Sequence, residues 1–307
     1  MLGTLPQLEN PTNSGCAHRP TDPCDAGAVS QLRRSVVSTG DLTFDTVQTG
    51  DTSGTPVILL HGFPATSATW AEVLPALGEA GCWAVAPDQR GYSPGARPTD
   101  TEDYATDRLA ADVIGLADAL GIDTFHLVGH DWGASVAWVV AATRPDRVRS
   151  LTAVSVPHLG AYGRAVREDP EQRAMSAYYA EFRRTPDMAE VLLADDARRL
   201  REVYGDLPAG HVETYLQHLG EPGALDAALQ WYRAMGSDLS TLPHVTVPTT
   251  FVWSDADAFI GPVAAAGCPE FVDGPFRYVE LTGVSHWVPE TRPHVVATEV
   301  LRHVSGR

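Results

Sequence analysis

Cysteine is scarce in this chain. There are four in 307 residues, at positions 16, 24, 82 and 268, and no two are spaced as a CxxC pair. That excludes the common zinc and dithiol redox motifs. Cys82 lies in an apolar, strand-like run and reads as a core residue. Cys16 and Cys24 are near enough in sequence to pair, and a reduced state suits them equally. Basic residues are few as well: Lys and Arg total 22 against 39 Asp and Glu, a net charge of −17. Such a surface opposes nucleic acid and anionic membrane. Long apolar runs are missing, and the longest, residues 134–142, is far short of the roughly 20 that cross a bilayer. No apolar segment follows a basic start near the N-terminus, so no signal peptide is expected. The expectation is a soluble, cytoplasmic protein with no nucleic-acid or membrane partner; a homo-oligomer is left open.

What is present is the composition of a globular enzyme, 44% hydrophobic and 20% charged. The length suits one large α/β domain or a domain with an insertion. Residues 1–30, rich in Pro, Asn, Thr and Gly, read as an extended leader. Strand-like runs with β-branched residues follow at 34–38, 42–48, 56–60, 83–87, 125–128, 150–156, 249–253 and 277–281. Amphipathic helical patterns lie between several of them, at 69–79 and 103–120. Alternation of strands and helices predicts a mostly parallel sheet covered on both faces, with its site at the carboxyl ends of the strands. The alternation stops between residues 158 and 242. This segment is helical in composition and rich in Tyr, and reads as a helical cap inserted into a core made of 31–157 and 243–307.

The most informative stretch follows the run at 125–128. Gly129, Asp131, Gly133 and Ala134 describe a strand-to-helix elbow so sharp that only small side chains fit around its apex. The apex is Asp131, not the usual Ser. A Ser apex makes acyl-enzymes; a carboxylate apex attacks an electrophilic carbon and becomes an alkyl ester. The competing reading is a buried turn with Asp131 as helix N-cap. Three further strand ends carry polar residues. His61-Gly62-Phe63-Pro64 forms a tight turn that aims the Phe63 N–H at an oxyanion, with the Trp132 N–H as second donor. Asp255 and Asp257 follow the run ending at Trp253, and the deeper Asp257 is favoured as the acid that orients a histidine. His286 follows the last strand, where a general base is needed. The order Asp131, Asp257, His286 is the nucleophile–acid–base order of the α/β-hydrolase fold. The turn Asp88–Ser93 reads as structural.

On these motifs the chain, from about residue 42 onward, resembles the epoxide hydrolases of the α/β-hydrolase fold. The resemblance implies two cap tyrosines that hold and protonate the epoxide oxygen. One is Tyr232, within Trp231-Tyr232-Arg233; the other lies upstream of Pro186-Asp187-Met188-Ala189-Glu190, where the family's spacing selects Tyr179, with Tyr178 adjacent. Tyr162, Tyr204 and Tyr215 are expected only to pack. The resemblance also implies substrate contacts by His61 and Trp132, a small-molecule epoxide and water as reactants, and neither metal nor organic cofactor. The fold motifs are shared with haloalkane dehalogenases, which use the same nucleophile, but Phe63 offers no side-chain donor for a halide. A non-hydrolytic binding or ring-forming member of the fold is a third reading.

Overall fold

The computed structural model describes residues 31–236 and 241–306. The leader, with Cys16 and Cys24, lies outside the described residues. All eight expected runs are strands, with ends moved by at most two residues: β1 (Arg33–Thr39), β2 (Leu42–Thr49), β3 (Thr55–Leu60), β4 (Cys82–Pro87), β5 (Phe125–His130), β6 (Val148–Val154), β7 (Thr249–Ser254) and β8 (Phe276–Leu281). They form one sheet in the order β1-β2-β4-β3-β5-β6-β7-β8. The β1–β2 and β2–β4 pairings are antiparallel and the other five are parallel. Strands β4, β5 and β7 are buried at every position, as required of strands covered on both faces.

The covering helices are α1 (Leu74–Glu79), α2 (Thr106–Ala119), α3 (Trp132–Thr143), α10 (Pro262–Ala266), α11 (Val288–Thr291) and α12 (Pro293–Val304). The helix expected over 69–79 is instead a 3-10 turn, Ser67–Trp70, followed by the short α1. Pro75 has no N–H to give and fits only a first helical turn, so α1 starts there. The helix expected over 103–120 likewise divides into a 3-10 turn, Thr101–Tyr104, and α2. Cys82 is fully buried in β4.

Between β6 and β7 the described chain contains helices and no named strand: α4 (Leu159–Glu168), α5 (Pro170–Met175), α6 (Tyr178–Arg184), α7 (Met188–Tyr204), α8 (Ala209–Leu219) and α9 (Ala224–Ala234). α7 is broken in the middle by non-helical residues 194–197. These helices share one continuous apolar cluster with the inner face of the core, including Phe63, Trp132, Phe182, Leu200, Trp231 and Tyr232. No described helix is long and apolar enough to cross a membrane.

Candidate functional site

Parallel strands align their carboxyl ends on one edge of the sheet. The loops after β3, β5, β7 and β8 therefore deliver Phe63, Asp131, Asp257 and His286 to one place. Asp131 sits between β5 and α3 with φ 54° and ψ −122°, a conformation sterically disfavoured for any residue but glycine. Its neighbours make that turn feasible. A Cβ at Gly133 would overlap the carbonyl oxygens of Leu60 and His61, and one at Gly62 would overlap the Asp131 carboxylate itself.

The carboxylate does not cap α3. Instead Oδ1 accepts a hydrogen bond from the Phe63 backbone N–H at 2.8 Å, and Oδ2 lies 3.4 Å from His286 Nε2. The opposite ring nitrogen of His286, Nδ1, is 2.8 Å from Asp257 Oδ2. Asp257 Oδ1 accepts from the backbone N–H groups of Phe259 (2.8 Å) and Ile260 (3.1 Å), which fixes the carboxylate's rotation. Asp255 points elsewhere and accepts from Gly283 N–H at 2.6 Å.

Burial alone would depress the His286 pKa, but the negative charge of Asp257, and then that of Asp131, outweighs it and raises the pKa to about 10. Burial likewise pushes the Asp131 pKa upward; the His286 hydrogen bond and charge, together with the Trp132 backbone N–H, bring it below the ordinary carboxylate value. The resting pair is thus an aspartate held by an imidazolium.

Two residues invisible to the sequence reading pin the backbone of His286. Its carbonyl oxygen accepts from His130 Nε2 and from Ser155 Oγ, each at 3.0 Å. Ser155 adopts φ 68° to do so. No local sequence signal marks either contact, since each joins residues more than 130 apart.

The tyrosines divide between two cavities. One, of about 660 Å³, is lined by Asp131, His286, Phe63, Tyr178, Phe182 and Tyr232. The other, of about 840 Å³, is lined by Trp132, Tyr162, Tyr179 and a set of arginines. The Tyr178 and Tyr232 hydroxyls interact with one another, while that of Tyr179 is directed to Tyr162. Tyr178 thus lines the Asp131 cavity where the expectation named Tyr179, while Tyr179 also feels the Asp131 charge and has its ring 5.2 Å from that of Tyr232. The physical reason is helical. Neighbouring residues on α6 point about 100° apart, and Tyr178 shares its face with Phe182 four residues on, another lining residue. That i, i+4 pair is the signal that separates the two tyrosines. Burial raises the pKa of Tyr178, Tyr179 and Tyr232 well above the usual phenol value, so all three keep their protons.

His61 is also corrected. It lines neither cavity; it is fully buried, and both ring nitrogens are engaged. Nδ1 bonds the Gly62 carbonyl at 2.9 Å and Nε2 accepts from the Gln89 N–H at 3.1 Å. Its role is to brace the Gly62–Phe63 turn against the loop after β4. That loop is structural throughout: Gln89 donates to the His61 carbonyl, Asp88 accepts from Ser67 N–H, and Arg90 makes a bidentate pair with Asp112. Trp132 lines the second cavity, and its indole interacts with the Tyr232 hydroxyl, with the two rings 5.0 Å apart. Tyr162, Tyr204 and Tyr215 have their hydroxyls bound to Ser176, the Pro64 carbonyl and Glu290. Among the described residues no cluster of His, Cys, Asp and Glu is arranged to hold a metal ion.

Comparison with known proteins gives a consistent picture. A family model described as the alpha/beta hydrolase fold matches residues 55–293. The AB hydrolase superfamily protein YfhM of Bacillus subtilis is 33% identical over 88% of this chain and 97% of its own length. Epoxide hydrolase A of Mycobacterium tuberculosis is 31% identical, with the same two coverages of 88% and 97%. The crystal structure of epoxide hydrolase A from Mycobacterium thermoresistibile superposes with a TM-score of 0.80 at 28% identity, covering 90% of this chain and 99% of that one.

Proposed function

The chain belongs to the α/β-hydrolase fold family, and on that footing we propose that it is an epoxide hydrolase, opening a small-molecule epoxide with water to a vicinal diol. The observation that carries the mechanism is the Asp131 carboxylate: it sits at an elbow apex, leaves its own helix uncapped, and bonds Phe63 N–H through one oxygen and faces His286 through the other. The segment 158–242 acts as the cap that closes over it.

Tyr178 and Tyr232 hold the epoxide oxygen. Oδ2 of Asp131 attacks a ring carbon, the C–O bond breaks, and a phenol proton moves to the departing oxygen. The product of this half is a hydroxyalkyl ester of Asp131. Esterification removes one of the two negative charges that hold the His286 pKa near 10. The imidazolium then becomes a stronger acid, gives its proton back to the phenolate left by the first step and serves as base, with Asp257 holding its orientation. His286 deprotonates a water, which attacks Cγ of Asp131. The Phe63 and Trp132 N–H groups stabilise the oxyanion that forms on Oδ1. The Cγ–O bond to the alkyl group then breaks and the diol leaves with a proton returned by His286. His286 thus becomes a base only after Asp131 has completed its attack.

The water oxygen ends in the enzyme. A single turnover in ¹⁸O-water, followed by mass spectrometry of the Asp131 peptide, should show the label in that carboxylate. Label confined to the diol would mean direct attack of water on the epoxide, and the ester route would be wrong.

A further inference from the structure

Gln172 is fully buried, and the mechanism above makes no use of it. It lies in the cap helix α5, yet its side chain reaches the core loop after β7. Nε2 donates to the Phe259 carbonyl at 2.8 Å, and Oε1 accepts from the Gly261 N–H at 2.8 Å. The amide thus pairs with the backbone of residues 259–261 much as a neighbouring strand would. Nε2 also lies 3.2 Å from Ser176 Oγ, so both of its protons are used. The other edge of the same segment faces Asp257. The N–H groups of Phe259 and Ile260 are the two donors that hold Asp257 Oδ1. The remaining carbonyl, that of Ile260, accepts from Trp253 Nε1 at 2.9 Å. The loop is therefore fixed by the core on one side and by a single cap side chain on the other.

A buried glutamine with satisfied hydrogen bonds is ordinary. What this one holds is not. An apolar side chain in its place leaves the Phe259 carbonyl and the Gly261 N–H without partners, and the loop must shift to find others. Any such shift turns the donors that fix Asp257. It also moves the Phe259 ring, which meets the His286 ring edge-on at 4.9 Å between centroids and the Tyr178 ring at 5.8 Å. On the cap side, Ser176 Oγ continues the contact to the Tyr162 hydroxyl of α4 at 2.8 Å. Two cap helices are thereby tied to the loop that carries the acid.

We propose that Gln172 is a positioning residue for the second half of the reaction: acting through the backbone of residues 259–261, it sets the Asp257 carboxylate against His286, so that the base is aimed by the cap as well as by the core. Ring opening depends on Asp131 and on two phenols that share the proton transfer, and it has little need of Gln172. Ester hydrolysis needs His286 aimed at a water beside Asp131 Cγ. A misplacement of about 1 Å in such a group costs on the order of 10²-fold. The loss of Gln172 therefore falls on one half-reaction. This rests on the epoxide reading above.

The test uses Gln172→Met, which keeps the length of the side chain and removes its bonds to the loop, and Gln172→Asn, which stays polar but is too short to reach both Phe259 and Gly261. Rapid-quench kinetics with styrene oxide, read by mass spectrometry of the Asp131 peptide, separate ester formation from ester hydrolysis. Formation should stay near the parent rate while hydrolysis slows by about 10–10²-fold, so that the ester accumulates. A second readout needs no turnover. The proton between His286 Nδ1 and Asp257 Oδ2 gives a low-field NMR signal, assigned by its loss in His286→Gln, and in both variants it should move upfield or broaden by exchange with water. Equal slowing of the two half-reactions, unslowed hydrolysis, or an unchanged low-field signal means that Gln172 only packs, and overturns the proposal. If Gln172→Met does not fold, Gln172→Asn decides alone. If the parent forms no ester with styrene oxide or cyclohexene oxide, the epoxide reading itself has failed, and the low-field signal still decides whether Gln172 sets the Asp257–His286 pair.

Discussion

Phenol placement decides which side chains the reaction can use. Tyr178 and Tyr232 interact through their hydroxyls and line the cavity that contains Asp131, whereas the Tyr179 hydroxyl interacts with that of Tyr162. Burial keeps every one of these phenols protonated, so each is a donor and only geometry separates them. A general acid contributes typically 10²–10⁴-fold, and two donors share the load. Tyr178→Phe and Tyr232→Phe should each slow ring opening by about that order or less, and the double variant should nearly abolish it. Tyr179→Phe should leave ring opening near the parent rate on a neutral epoxide. Stopped-flow kinetics that separate ester formation from ester hydrolysis check this, since the second step involves no phenol. A damaging Tyr179→Phe beside a silent Tyr178→Phe would reverse the assignment.

At the scale of the element, the elbow between β5 and α3 works only because the backbone approaches so closely. Gly133 lies against the carbonyl oxygens of Leu60 and His61, and those residues lead into the turn that presents Phe63 N–H. A single Cβ must push the β3 loop and α3 apart. Gly133→Ala should therefore cost about 1–3 kcal/mol, the usual range for overpacking, and should lower activity together with stability. Urea denaturation measures the first; a loss within about 0.5 kcal/mol, the range of ordinary surface changes, would show that the two loops have slack. The elbow was legible in the sequence because sterics this tight leave small residues as a written record. The strands were legible for a similar reason: buried parallel strands must be runs of β-branched and apolar residues. What was not legible depends on partners distant in sequence. His61 looked like a substrate contact until Gln89, 28 residues on, took its Nε2. Ser155 and His130 hold His286 from more than 130 residues away, and nothing local announces such a contact. Tyr178 against Tyr179 turned on the phase of a short helix whose start the composition did not define.

Across the whole molecule, four buried histidines give the fold an acid limit. Burial lowers the pKa values of His61, His126, His130 and His158 to about 4, against about 6.5 for the unfolded chain. Between those values the unfolded state binds more protons than the folded state, so stability rises with pH across the window and is lost as pH falls through it. Two of these side chains use a bare nitrogen as acceptor: His61 Nε2 from Gln89 N–H, and His158 Nδ1 from Gly160 N–H at the start of α4. Protonation breaks those bonds outright. His286 has the opposite sign. Its folded pKa is raised to about 10, so its contribution is complete below about 6.5 and disappears as pH climbs towards 10. The two trends together place the stability maximum near neutral pH. Denaturant unfolding from pH 4.5 to 9 should trace a dome, falling most steeply on the acid side, where up to four protons are taken up; at 1.36 kcal/mol per proton and pH unit that slope is up to about 5 kcal/mol per unit. Because His61 braces the turn that presents Phe63 N–H, activity should fall within the same acid window. A flat stability curve between pH 7 and 5 would show that these histidines reach water or a partner when protonated, and that the His61 brace survives as a cation.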